Sequence, residues 1–409
     1  MLLKNFGALS IIQLVSYAAP LLLLPYLSRI LGVDGFGVVF FGVSFVAICG
    51  TLTDFGFELY APFKIAKHRA DVSYIKKLSG AIFGAKLFLY LIVALITIMF
   101  AFIGNDYETK FILLFLFPMF FYSIQPNWLF QSLENTFEIT SYFIVSRFIY
   151  IGLVFVSVNT PDDYTRVIIC LGLCFSINAI LSLRKMIKLG YLPICPSFSA
   201  VRLVIFESSG YFYARASASI YQAGGTVFLG LVSTNVQVGY FYAAEQLFRG
   251  LQGLFAPVAL ALYPYMSRKH DRKIFILVFS VAMIVCLTCI LVGVFAGELI
   301  IELVFGANFG PSYLPFLVFL VILAVNVPST LISYPFLGAM GHSDYVNMTV
   351  ITAGIAQLCL LIILYMLDFT TAFDVTVSIL VAEFLVAVSY THLRAHETPE
   401  HLVCRLLLE

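Results

Sequence analysis

Residues 20–67 read PLLLLPYLSRILGVDGFGVVFFGVSFVAICGTLTDFGFELYAPFKIAK, and two apolar segments meet there at a short polar turn. The first segment ends on Arg29 and Gly32. The turn Val33-Asp34-Gly35-Phe36-Gly37 is too short and glycine-rich to hold a domain. The second segment is long enough to cross a bilayer, closes on Asp54-Phe55-Gly56-Phe57-Glu58, and hands over to a loop carrying Lys64, Lys67 and Arg69. A spanning helix needs about 20 apolar residues, and cytoplasmic loops concentrate Lys and Arg. The stretch is therefore expected to be a transmembrane hairpin whose basic loop fixes the orientation.

Composition extends that reading to the whole chain. The sequence is 61% hydrophobic and 11% charged, with a mean hydropathy of +1.01. A soluble globular chain carries about 25% charged residues. Forty-one Phe against one Trp suggest lipid-facing helices more than an aqueous core. The net charge of +1 singles out no partner; the distribution of charge carries the information, and nothing points to nucleic acid. Cys170/Cys174 and Cys286/Cys289 have helical spacing without a neighbouring His or acid, so they read as small hydrophobes and not as metal half-sites. Walker motifs are absent, and no cofactor is expected. The first apolar run is too long for a cleavable signal peptide.

Further segments follow at about 80–103, 111–130, 139–158 and 166–187. A second set covers about 210–232, 239–264, 273–296, 312–338 and 346–367, with a last one starting near Phe373. With about 8–30 and 38–60 this makes an all-α integral membrane protein of about 12 transmembrane helices in two six-helix lobes. The expected division is an N-terminal lobe at 1–190, a linker at 191–208 holding Pro193 and Pro196, and a C-terminal lobe at 209–387. Residues 388–409 are set apart: VSYTHLRAHE is what the library-adapter sequence GTCTCTTATACACATCTCCGAGCCCACGAG encodes. That tail, with His392, His396 and His401, reads as non-native and leaves the twelfth helix truncated. With the N-terminus in the cytoplasm, that side holds Lys4, Lys64, Lys67, Arg69, Lys76, Lys77, Arg184, Lys185, Lys188, Arg202, Arg268, Lys269, Arg272 and Lys273. The opposite side holds Arg29, Lys110 and Arg166. The positive-inside bias is consistent in alternate loops.

Basic residues inside the segments are the candidate site. A charge at mid-bilayer costs about 2.5–3.5 kcal/mol on insertion scales, so it faces a wet cavity or a partner. Lys86 lies near the cytoplasmic end of its segment and can snorkel. Arg147 sits mid-segment in SYFIVSRFIYIG, and Arg215 in SSGYFYARASASIYQAGG among Ser, Tyr and Gln. Arg249 follows Glu245 by four residues, so an intrahelical ion pair is its alternative. A guanidinium keeps its charge when buried and grips phosphate through parallel hydrogen bonds.

Three stretches resemble one family. LPYLSRILGVDGFG with DFGFE, QPNWLFQSLENTFEIT (Gln125–Thr140) and VGYFYAAEQLFRGLQGLFAPVALALYPYMSRKHD (Val238–Asp271) are similar to signatures of the polysaccharide-export flippases. These are the Wzx-type O-antigen transporters of the MOP exporter superfamily, and Ser132 departs from the Gly that the family commonly has there. The resemblance implies a MATE/MurJ-like fold around a central cavity and no enzymatic activity. It implies a flippase in the bacterial inner membrane that moves undecaprenyl-pyrophosphate-linked oligosaccharide from the cytoplasmic to the periplasmic leaflet by alternating access. Expected partners are that lipid-linked sugar, the bilayer, and the polymerase and other proteins of the assembly line. Arg215, Arg249, Arg147 and Arg29 are the expected cationic lumen, with Glu245 and Glu58 as titrating or ion-pair groups. The competing readings are a lipid II-type or multidrug transporter of the same fold and an O-antigen polymerase or ligase. The enzyme would need a long outer loop bearing catalytic residues, and none is seen.

Overall fold

The computed structural model describes the backbone of residues 2–103, 111–134 and 136–397, with side chains over 22–102, 111–134 and 140–390. Lys4, Lys110 and the side chains of the tail histidines lie outside the described residues. Helices account for almost all of the described backbone, as the absence of water in a bilayer core demands that each segment satisfy its own N–H and C=O groups.

Helix α1, Leu2–Asp54, contains both limbs of the opening hairpin. The expected five-residue turn is corrected: residues 33–37 are helical, and one residue makes the break. Gly32 has φ 66° and ψ −176°, a conformation essentially confined to glycine. Both limbs meet the same loop near this break, since Tyr26 Oη donates to Val158 O at 2.7 Å and Gly35 approaches Pro161.

After a turn at Phe55-Gly56 come α2 (Phe57–Lys67) and α3 (Val72–Ile103). Segment four is interrupted: a tight turn at Ile112–Phe115 leads to α4 (Leu116–Ser123), and α5 (Asn127–Ser132) resumes after Pro126. Proline has no N–H to continue the ladder, which frees the backbone around Gln125. Helices α6 (Thr136–Ser157) and α7 (Tyr164–Lys188) complete the set. The connection to α8 (Phe198–Val232) is extended over 191–197 and is hydrogen-bonded from Ile194 N to Lys76 O at 3.3 Å.

The second half follows with α9 (Asn235–Gly253) and α10 (Ala256–Lys269), which divide expected segment eight at Leu254-Phe255. Then come α11 (Arg272–Phe305), α12 (Tyr313–Ile332), α13 (Ser343–Met366) and α14 (Ala372–Glu397). Nine stretches among the described residues are long and apolar enough to cross a membrane. They include every expected segment from three to six and nine to twelve, with the first two joined as Leu22–Lys67. Segments seven and eight fall short because α8 and α9 carry Ser, Tyr, Gln, Arg and Glu in their interiors and α10 has only 14 residues.

The chain divides into two compact units, Met1–Ser219 and Ile220–Glu409. In the first, Trp128, Phe57, Phe130, Ile65 and Ile75 are fully enclosed where α2, α3 and α5 pack. The opposite face of α3 turns Phe88, Leu91, Leu95 and Ile96 outward, the pattern of a helix against hydrocarbon. In the second, Phe241, Phe248 and Phe319 join α9 to α12, while α11 presents Leu287, Leu291, Phe295 and Leu299 outward.

Candidate functional site

The break after α4 opens a cavity of about 450 Å³ within the N-terminal unit. The second limb of α1 supplies Val43, Val46 and Ala47; α4 and the break supply Tyr122 and Gln125. Asn127 and Gln131 come from α5, Phe143, Ser146 and Arg147 from α6, and Leu171, Cys174, Phe175 and Asn178 from α7. Its polar lining is made of carboxamides around one guanidinium. Asn178 Nδ2 donates to Gln125 Oε1 at 3.1 Å, and Gln125 Nε2 donates to Phe175 O at 3.4 Å. Asn178 Oδ1 is buried without a hydrogen-bond partner, an acceptor that a hydroxyl of a bound molecule would satisfy. Arg147 is half-buried and lies over the Phe143 ring at 5.2 Å, a cation–π contact that holds the fork in place and leaves its edges open.

A seam of ion pairs adjoins this cavity. Arg215 of α8 meets Glu58 of α2 at 2.7 Å, and the Asn127 side chain also hydrogen-bonds Glu58. Tyr122 stands within electrostatic reach of Glu58, Asp54, Arg215 and Arg147. Farther along, Glu207 accepts from Tyr60 at 2.5 Å and pairs with Lys64 at 2.8 Å. Glu207 precedes the stretch 210–232 expected as segment seven, and Lys64 and Tyr60 hold its carboxyl below the usual range. Lys86 corrects the snorkelling expectation. It is only 4% exposed and pairs with Asp54 at 2.9 Å, bent away from hydrogen-bond geometry, so the contact is purely ionic. Desolvating an ammonium here without that carboxylate would be prohibitive.

In the C-terminal unit Glu245 and Arg249 form the i,i+4 pair that their spacing allows, at 2.8 Å. Arg249 also donates to Gln222 O at 2.5 Å, and Thr226 Oγ1 donates to Glu245 at 3.2 Å, which ties α9 to α8. Arg29 is exposed at the end of the first limb of α1. The structure thus brings Arg215 to Glu58 and Arg249 to Glu245, sets Arg147 in the cavity, and leaves Arg29 at the surface.

Sequence reasoning overlooked several polar groups. Asp54 was visible at the hairpin's end, but its partner Lys86 lies on another helix. Gln125 and Asn178 gave no signal beyond being amides in apolar text. Glu383 did give one: an acid inside LVAEFLVAV is an intramembrane charge by the same rule that singled out the arginines. Ser132 accommodates its departure from the expected Gly by returning its buried hydroxyl to Trp128 O at 2.5 Å.

The model of a family described as polysaccharide biosynthesis protein matches residues 2–270. A relative from Escherichia coli (strain K12) with O-antigen transporter in its name is 28% identical over 64% of this chain; the match spans 64% of that relative's own length. A second relative so named, from Shigella dysenteriae, is 23% identical over 94% of this chain and 97% of its own. Among solved structures, a lipid II flippase, MurJ, in an inward closed conformation superimposes with a TM-score of 0.75 at 13% identity. It covers 97% of this chain and 88% of that one. The fold is therefore the one seen in that solved structure.

Proposed function

Because the chain belongs to the polysaccharide biosynthesis protein family, we propose that it is a flippase for lipid-linked oligosaccharide, acting in the bacterial inner membrane with its N-terminus in the cytoplasm. Its cargo is an undecaprenyl-pyrophosphate-linked repeat unit, carried from the cytoplasmic to the periplasmic leaflet. The observation that carries this reading is Arg147 in a cavity lined by carboxamides and aromatic rings. Such a lining offers bidentate hydrogen bonds to phosphate oxygens, amide partners for sugar hydroxyls and ring faces for sugar C–H edges. Arg215, Arg249 and Arg29 complete the proposed cationic path, with Glu58 and Glu245 holding two of those charges in the absence of cargo.

The chemistry required is binding and release, so affinity must differ between conformations. An Arg–carboxylate pair suits that task, because an entering pyrophosphate competes for the same guanidinium donors. The names of the two relatives favour an O-antigen-type cargo over lipid II or a cationic drug, and a cavity whose described lining carries Arg147 and no acid agrees with an anionic headgroup.

The test is complementation of a strain lacking its O-antigen flippase, with surface polysaccharide as the readout and membrane levels equalised. The parent chain restores polysaccharide; Arg147→Ala abolishes it and Arg147→Lys restores part. Arg215→Ala is read beside Arg215→Ala/Glu58→Ala, which removes the stranded acid and separates lost grip from lost folding. Failure of the parent chain with several repeat-unit types would overturn the cargo. Full activity of Arg147→Ala would remove the cavity from the path.

A further inference from the structure

Glu383 of α14 is the buried acid that the proposed transport path leaves unused. It is 3% exposed, and it accepts from Tyr221 Oη and from Asn326 Nδ2, the latter at 3.0 Å. Asn326 Oδ1 in turn accepts from Gln252 Nε2 at 2.8 Å. Gln252 is half-buried and precedes the Leu254-Phe255 break between α9 and α10. All four residues belong to the C-terminal unit. A chain of two carboxamides therefore leads from a buried carboxyl to a break in a helix, a place where irregular backbone in a membrane protein meets protein or water.

We propose that Glu383 is a proton-binding site, a carboxyl that takes up and releases one proton during the transport cycle. Three features of the geometry support this. First, its hydrogen-bond partners Tyr221 and Asn326 are neutral donors, whereas Glu58 and Glu245 each neutralise an arginine at 2.7 and 2.8 Å. Protonating either of those would strand a guanidinium; protonating Glu383 strands nothing. Second, the carboxamide chain fits both charge states. With the carboxylate, Gln252 donates to Asn326 and Asn326 donates to Glu383. With the acid, Oε1–H donates to Asn326 Oδ1 once that amide has turned, and Asn326 Nδ2 donates to a turned Gln252. One O–H bond forms, one proton is consumed, and every hydrogen bond in the chain is kept with reversed polarity. Tyr221 donates to the other carboxyl oxygen in either state. Third, Tyr221 directs its hydroxyl hydrogen at the carboxylate, a donor where a sodium ion would want another oxygen acceptor.

Charged and titratable groups face the site from several neighbouring helices. Tyr221 comes from α8, with Arg249 of α9 within its electrostatic reach, and Arg249 is itself paired with Glu245. Tyr390 of α14 feels Glu383 and also Tyr334 and Tyr345, from the segment after α12 and from α13. Helix α12 has no charged side chain over Tyr313–Ile332. Arg249 is thus a cation that reaches Tyr221, and its pairing with Glu245 leaves the proton on Glu383 as the change in charge.

The inference rests on the transporter reading for its purpose but is tested without any cargo, so the two can fail separately. Purified protein in liposomes on a solid-supported membrane is given a pH jump at constant sodium, and the transient charge displacement is recorded. The parent chain gives a displacement that titrates with pH. Glu383→Gln loses it to the level of protein-free liposomes. Glu383→Asp retains it, which excludes simple misfolding, and Asn326→Leu retains it with slower onset because the chain to the helix break is cut. Glu302→Gln, on the outward face of α11, changes nothing. A displacement that survives in Glu383→Gln overturns the proposal. So does its absence from the parent chain, or its appearance with a sodium jump at constant pH.

Discussion

The two units handle buried charge in opposite ways. In the N-terminal unit Asp163 and Arg166 pair locally at the start of α7, but three acid–base pairs come from distant parts of the chain: Asp54 with Lys86, Glu58 with Arg215, Glu207 with Lys64. Each of those three joins two helices, so charge there acts as a fastener and frames the cavity that holds Arg147. Among the described residues of the C-terminal unit an Arg–Glu pair lies four residues apart on α9, and the other buried acid, Glu383, is held by uncharged donors. Charge in the first unit is committed to structure across elements. In the second it is locally cancelled, except at a carboxyl whose state can change.

The largest effect that would break this comparison comes from Lys86→Met. It leaves Asp54 ionised and enclosed, and removing one partner of a buried pair costs about 3–5 kcal/mol. The variant should fail to accumulate as folded protein in the membrane, measured by detergent-resistant monodispersity on size-exclusion chromatography. Lys86→Met/Asp54→Leu should recover most of it, because two apolar side chains can replace a buried ion pair at little cost. If Lys86→Met is as stable as the parent, the fastener interpretation of the first unit is wrong.

Next is Gly56, at the turn between α1 and α2. Its φ of 78° disfavours any side chain, and a Cβ there would lie 2.8 Å from Phe212 N and 2.8 Å from Tyr211 Cβ. The neighbouring Phe55 stacks on Phe212 at 4.1 Å, so the turn is pressed directly onto α8. Gly56→Ala should cost about 1–3 kcal/mol through the strained backbone and the displaced helix, read as a lowered thermal unfolding midpoint in detergent. The Arg215–Glu58 contact would loosen with it, and Arg215 should become more reactive to an arginine-selective reagent.

The legibility of these features follows their range along the chain. Membrane helices announce themselves by runs of apolar residues, and almost all expected segments appear in the fold. The breaks were harder to see: Gly32 looked like the end of a segment before a five-residue turn, and the divisions at Pro126 and Leu254-Phe255 look like continuous helix in sequence. Glu245 and Arg249 were legible as a pair because four residues is one helical turn. Lys86 was misread because its partner lies on a helix whose packing no local pattern reports. Arg147 was legible as an intramembrane charge, but the amides around it were not, since Gln125 and Asn178 meet only after α4 has been broken.

The smallest effect sharpens the comparison from the other side. Arg249 is about a third exposed and its pair with Glu245 is local. An exposed i,i+4 pair contributes only about 0.3–0.5 kcal/mol, and here burial of Glu245 raises the stakes on the acid alone. Arg249→Gln keeps a donor for Gln222 O and for Glu245, so its thermal midpoint should stay within a degree or two of the parent's, whereas Arg249→Leu should fall further by stranding Glu245 at 5% exposure. The pair Glu245→Gln/Arg249→Leu should then recover stability. If the single Arg249→Gln destabilises as much as Lys86→Met, charge in the C-terminal unit is not locally cancelled, and α8 is held to α9 by the same kind of fastener as the helices of the first unit.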